Sequence, residues 1–251
     1  MFTAIYVLWY RQVIKYFRSP VRLIGSLGQP ILFMIAFGFG LNNMYQGAGG
    51  QGTYLQFIAP GIMAMSVIFM AFFSGIEVIW DRKFGFLRET LVAPVPRFAI
   101  VLGKILGGAT IALFQGIVVL FVSLAFGFRP DSWAMVPLGF FFLFLIAFFC
   151  AAMGILIASN MEDGEAFPVV MNFVVMPLYF LSGAFFSVKD SPVFLQNIIR
   201  FNPIAYGVDG ARAAMLHNGY FGYGTDCLVL ITAGLALLWL GNYFFQKLRL
   251  K

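Results

Sequence analysis

Few side chains in this 251-residue chain are equipped for covalent or acid–base chemistry. There is one histidine, His217, and no Ser–His pair that fits a membrane protease. Cys150 lies inside an apolar run and Cys227 at the edge of another. They are too isolated to hold a metal, and at the different depths expected of them they form no disulfide. No H-E-x-x-H and no G-x-x-x-x-G-K-[ST] occurs, so the chain lacks a phosphate cradle and is expected not to hydrolyse ATP. Glu77 is the only acidic residue within an apolar run, about one turn from its end. A proton-coupled pump carries deeper carboxylates. Glu77 is therefore expected to pair near the membrane surface with Arg82 or Lys83. These residues speak for transport rather than catalysis.

The elements that must position them are set by the solvent. Hydrophobic residues make up 61% of the chain and charged residues only 10%, with a mean hydropathy of +0.91. A soluble domain carries about 25% charged residues. So few charges cannot coat an outside in water, and the 32 phenylalanines are cheap surface only against acyl chains. The expected fold is all-α and polytopic, a single domain over 1–251. Six transmembrane helices are expected at Leu23–Leu41, Ala59–Trp80, Ile100–Phe126, Trp133–Ser159, Phe167–Phe186 and Cys227–Phe245. The runs are continuous rather than alternating, which excludes a barrel. Arg11, Lys15 and Arg18 interrupt the first apolar stretch, so no cleavable signal peptide is expected.

Charge orients the helices. Twelve of the sixteen basic residues fall before helix 1, around the helix 2–3 link or after helix 6. Arg129, Lys189, Arg200 and Arg212 lie on the other side. Positive-inside bias then puts both termini in the cytoplasm of a cell membrane. The net charge of +6 is spread in short clusters beside apolar runs, a pattern of membrane orientation and not of nucleic-acid binding.

Residues 1–18 separate into an apolar face (Phe2, Ile5, Tyr6, Trp9, Val13, Tyr16) and a basic one, which predicts an interfacial helix. Asn42–Gln56 is glycine-rich and reads as an outer loop. Within the outer segment 187–226, Ser191-Pro192 and Asn202-Pro203 each pair a capping residue with proline at a helix start. Two short apolar helices are predicted there, Pro192–Arg200 and Pro203–His217, as a re-entrant pair between helices 5 and 6. Pro177 is expected to kink the middle of helix 5. Gly103 and Gly107 form a G-x-x-x-G that permits close packing. Asp209 and Arg212, at i and i+3, are expected to pair locally. Asn172 and Ser182 are expected to hydrogen-bond neighbouring helices or face the path.

Two stretches carry a family resemblance. The link at 81–98 offers Gly85, Leu87, Leu91, Pro94 and Arg97 in order. It resembles the cytoplasmic coupling segment of type-2 ABC transporter permeases, differing in that Asp81 is its only early acid. The run Leu181-Ser-Gly183-Ala-Phe-Phe-Ser187, then Pro192, Pro203, Tyr206 and Arg212, resembles that family's signature after helix 5. The likeness covers essentially the whole chain, and the subgroup it most resembles is the daunorubicin-resistance and nodulation-factor-like permeases. The resemblance implies an exporter subunit for an amphiphilic drug, lipid or glycolipid, paired with a second copy or a homologue among membrane lipids. It implies separate ATPase subunits that hold ATP and Mg, this chain binding no cofactor. Coupling is then expected through Gly85, Phe86, Leu87, Arg88, Glu89 and Leu91, with Glu162 and Asp163 of the helix 4–5 link. Met65, Phe69, Phe73, Asn172, Met176 and Tyr179 are expected along the path. An ATP-independent channel or carrier, or a lipid-modifying intramembrane enzyme, is the alternative; absent deep charges, inverted repeats and catalytic residues weigh against them.

Overall fold

The computed structural model describes residues 1–47, 53–92 and 95–247, and among them there are helices and turns but no strand. The chain opens with α1 (Phe2–Phe17), α2 (Pro20–Gly25) and α3 (Gly28–Phe33). Helix α3 runs into a π-helical stretch at Met34–Phe39, and α4 (Asn42–Gly47) follows. The continuous span expected over Leu23–Leu41 is therefore broken. Gly25, Gly28 and Pro30 fall within six residues, and they combine backbone freedom with a missing N–H. The loop expected from Asn42 is helical as far as Gly47. Gly49, Gly50 and Gly52 lie outside the described residues.

Helices α5 (Tyr54–Phe73) and α6 (Ile76–Lys83) make one nearly continuous rod. Gly85 turns the chain at φ +80°, a value that favours glycine, into the short α7 (Phe86–Val92). Then come α8 (Arg97–Ala125), a 3₁₀ turn at Trp133–Met135, α9 (Val136–Ser159), α10 (Phe167–Phe180), α11 (Val193–Arg200), α12 (Pro203–Leu216) and α13 (Tyr223–Lys247). Four segments are long and apolar enough to cross a bilayer: Tyr54–Lys83, Arg97–Ala125, Trp133–Ser159 and Tyr223–Phe245. Gly28–Phe39 and Phe167–Phe180 are shorter apolar helices. Helix α10 stops at Phe180, short of Phe186, so Pro177 lies in its last turn and not in its middle. Leu181 N–H closes that turn on the Pro177 carbonyl at 2.9 Å.

Helices α5, α8 and α9 pack against one another, and α12 and α13 lean on α9. The core they share includes Ile62, Met63, Phe72, Phe142 and Ile146, all without exposure. Where α5 passes into α6, backbone touches backbone. A Cβ on Gly75 would lie 2.4 Å from the Gly154 carbonyl carbon, and one on Gly154 would lie 2.3 Å from the Phe72 oxygen.

Helix α1 leans against the side of the bundle. It packs on α8 from Gly103 to Gln115, about 18 Å of that helix. The reason is the groove cut by Gly103 and Gly107. A Cβ on Gly103 would meet the Ile5 oxygen at 3.1 Å, and one on Gly107 would meet the Gln12 Cβ at 3.0 Å. The Trp9 indole donates to the Thr110 hydroxyl at 2.9 Å. Phe2, Tyr6 and Tyr10 stay exposed on the outer face.

Candidate functional site

The links between helices gather at two ends. At the first end, Asp81 of α6 is buried and accepts from Lys104 of α8, itself buried, and from Arg11 of α1 at 3.3 Å. The Arg11 guanidinium carbon stands 3.5 Å from the centre of the Phe86 ring, the first residue of α7. One guanidinium thus joins α1 to both α6 and α7. Among the described residues Glu77 forms its ion pair with Lys15, at 3.4 Å, and not with Arg82 or Lys83. Arg82 instead donates to the carbonyls of Ser159 (2.9 Å) and Met161 (3.1 Å), so α6 holds the α9–α10 link directly. Glu89, Glu162 and Asp163 are exposed on this end. Pro94 and the side chains of Leu87, Arg88 and Leu91 lie outside the described residues.

Sequence reasoning counted Lys104 among the orienting charges and gave Asp81 no partner. The signal was present: a lysine between Gly103 and Ile105, inside an apolar run, is costly unless a counter-charge faces it.

At the opposite end the later links are pinned to α5 and α10. Gly183 sits at φ +75°, and a Cβ there would press to 2.7 Å on Val188. Pro192 precedes α11 and Pro203 opens α12. The Tyr206 hydroxyl donates to the Arg200 carbonyl at 2.8 Å, and its ring stacks on Phe221. Asp209 and Arg212 are not joined by an ion pair among the described residues; each pins a different segment. Asp209 accepts from the backbone N–H groups of Tyr220 and Phe221. Arg212 donates to the Ala184 carbonyl at 2.9 Å and covers the Phe57 ring at 4.2 Å. Asn202 does two things at once. Its carbonyl caps Ile204 N–H at 3.1 Å, and its amide donates to the carbonyls of Leu178 and Leu181. Asn202→Asp keeps the cap and loses the donors, whereas Asn202→Ala loses both. The Asp variant also turns a carboxylate oxygen on two carbonyls, so detergent melting is expected to place both variants at least about 1 kcal/mol below the parent. Equal melting of all three would contradict the double role.

Between the ends, α2, α3, α5, α8 and α10 line a half-open cavity of about 380 Å³. Met65, Phe69 and Phe73 line it, with Met171 and Gln115. Of the other residues expected along a path, Tyr179 is fully buried with its hydroxyl donating to the Gly61 carbonyl at 3.1 Å. Met176 is half-buried and Asn172 is exposed, and neither lines the cavity. Ser182, just past α10, donates back to the Tyr179 carbonyl in its last turn.

Four segments long and apolar enough to cross a bilayer, packed beside an apolar pocket, are the make-up of a multi-pass membrane protein. The family model described as ABC-2 type transporter matches residues 3–216, and the chain belongs to that family. It is 33% identical over 216 residues to "Inner membrane transport permease YadH" of Escherichia coli (strain K12), covering 85% of this chain and 83% of that protein. It is 29% identical over 212 residues to "Nodulation protein J" of Rhizobium leguminosarum bv. trifolii, covering 83% and 80%. It is 28% identical over 236 residues to "Daunorubicin resistance ABC transporter permease protein DrrB1" of Streptomyces coeruleorubidus, covering 91% and 80%.

Proposed function

We propose that this chain is the membrane subunit of an ATP-driven exporter for an amphiphile such as a drug, lipid or glycolipid. It works with separate ATPase chains that carry ATP and Mg, and with a second copy or a homologue. The observation that carries the reading is the junction at the charged end. Helices α1, α6, α7 and α8 meet through Asp81, Lys104, Arg11 and Phe86, and Arg82 ties α6 to the α9–α10 link. A force on α7 therefore reaches the rods that line the cavity through rigid contacts. A motor can shift the permease only by binding its two states differently, and such contacts are what make the states differ to it.

In this reading Gly85–Leu91, Glu162 and Asp163 face the ATPase, and both termini lie on that cytoplasmic side of the cell membrane. The distribution of basic residues supports that orientation. The chain crosses six times, its four long segments joined by Gly28–Phe39 and Phe167–Phe180. Helices α11 and α12 form a re-entrant pair in the outer segment 187–226, favoured by the protein cover that Arg212 and Asn202 secure. Phe2, Tyr6 and Tyr10 of α1 rest in the interface. The single domain is 1–251, with 81–98 as its coupling link.

The test is affinity purification of the tagged chain from mild detergent. An ATP-hydrolysing chain is expected to copurify, with ATPase activity that rises when amphiphiles are added to the reconstituted complex. A chain that transports in vesicles without ATP or any such partner would overturn the proposal.

A further inference from the structure

Among the described residues lining the cavity, Gln29 is exposed, and Gln115 ends on a buried hydrogen-bonding group that is unused. Gln115 of α8 is 1% exposed, and its Oε1 accepts from the Tyr16 hydroxyl at 3.2 Å and the Ser26 hydroxyl at 3.0 Å. Its Nε2 is buried without a partner. Ser66, also on the wall, already donates to the Ile62 carbonyl of its own helix at 3.1 Å. Most of the remaining wall is methionine and phenylalanine, and no ionisable side chain is among its described residues. Pockets of this make-up bind an apolar body and orient it through a few placed polar groups. A buried N–H without an acceptor is costly, so a ligand that supplies the acceptor gains and one that lacks it is rejected.

We infer that Gln115 sets ligand choice in this cavity, its Nε2 donating to a neutral acceptor oxygen (ketone, ester, ether or quinone) on a largely hydrocarbon molecule. The inference rests on the cavity belonging to the proposed substrate path, and it narrows the substrate class. A phosphate would meet no cation on the described wall. A sugar would leave most of its hydroxyls unpaired against Met65, Phe69, Met70 and Phe73.

The test uses the purified full-length chain in detergent, with no ATPase present. Benzophenone, a two-ring ketone, serves as photolabel, and labelled methionines are located by mass spectrometry. Labelling is expected at Met65, Met70 or Met171. Competition then compares dibenzyl ketone with 1,3-diphenylpropane, which has the same carbon frame without the oxygen. The ketone is expected to compete about tenfold better on the parent chain. In Gln115→Leu and in the more flexible Gln115→Met, the two are expected to compete equally while labelling persists. Failure to label the cavity methionines, equal competition on the parent chain, or a ketone preference that survives in either folded variant would overturn the inference. So would 1,3-diphenylpropan-2-ol outcompeting the ketone tenfold, since that would mark Gln115 as acceptor. None of these results bears on whether an ATPase copurifies, so the two readings fail separately.

Discussion

Replacing Asp81 by Asn is expected to destabilise the chain by about 3–5 kcal/mol, read as a fall of roughly ten degrees in detergent melting temperature. The substitution keeps size and an acceptor but removes charge. Lys104, 4% exposed, is then left as a cation in an apolar bundle with Arg11 beside it. Breaking a buried pair from one side costs far more than the pair contributes, because the desolvated partner stays behind. The same logic makes a sharper statement about the double variant Asp81→Asn/Lys104→Met, which removes both buried charges. It is expected to melt within about 1 kcal/mol of the parent, since half-exposed Arg11 reaches solvent and keeps the Phe86 ring. A single Asp81→Asn variant as stable as the parent would mean that this end is held by packing alone.

Glu89→Lys is expected to lower ATP-driven transport at least tenfold, with membrane insertion and melting temperature unchanged. Glu89 is exposed on α7, so nothing within the described chain depends on it for folding. On the proposed reading Glu89 faces a basic group of the ATPase, and a mispaired desolvated charge there costs about 2–5 kcal/mol. Inserting one glycine after Glu89 acts differently. It turns the rest of α7 by about 100° and is expected to uncouple transport from ATP hydrolysis even where the complex still assembles. Transport assayed in inverted vesicles, alongside the amount of ATPase copurified, separates the two. Full ATP-driven transport by both variants would remove α7 from the coupling path.

The legible parts of the fold are those where local chemistry decides. Long apolar runs bounded by charges gave the four long segments to within a few residues. The Asn202-Pro203 pair marked the start of α12, because a capping side chain followed by proline at the first helical position has few other uses. Misreadings came where distant residues decide. The break near Pro30 was hidden by an apolar stretch of the right length. Pro177 was placed mid-helix because the run continues to Phe186, whereas the chain turns at Leu181 to bring Ala184 under Arg212. The i, i+3 spacing of Asp209 and Arg212 gives proximity, but Tyr220, Phe221 and Ala184 compete for them, and no spacing rule sees those partners. The contact of Gly75 with Gly154 joins two helices 79 residues apart, so it leaves no motif in either one. Of the candidate site, the gathering of charged links at one end was readable from charge. Gln115 was not, since a lone glutamine in an apolar run looks the same whether its amide is used or spare.

The pinning of Arg212 also bears on how the chain is made. Ribosomes deliver residues in order, and domains assemble largely as they emerge. Both groups that receive the Arg212 guanidinium, the Phe57 ring and the Ala184 carbonyl, are synthesised before it. Asp81 likewise finds Arg11 already made and waits only 23 residues for Lys104. Arg82 keeps the opposite order, since the Met161 and Ser159 carbonyls it binds follow it by 79 and 77 residues. A circular permutant starting near residue 190 would invert that schedule for Arg212, and its yield from cells would report what the native order is worth.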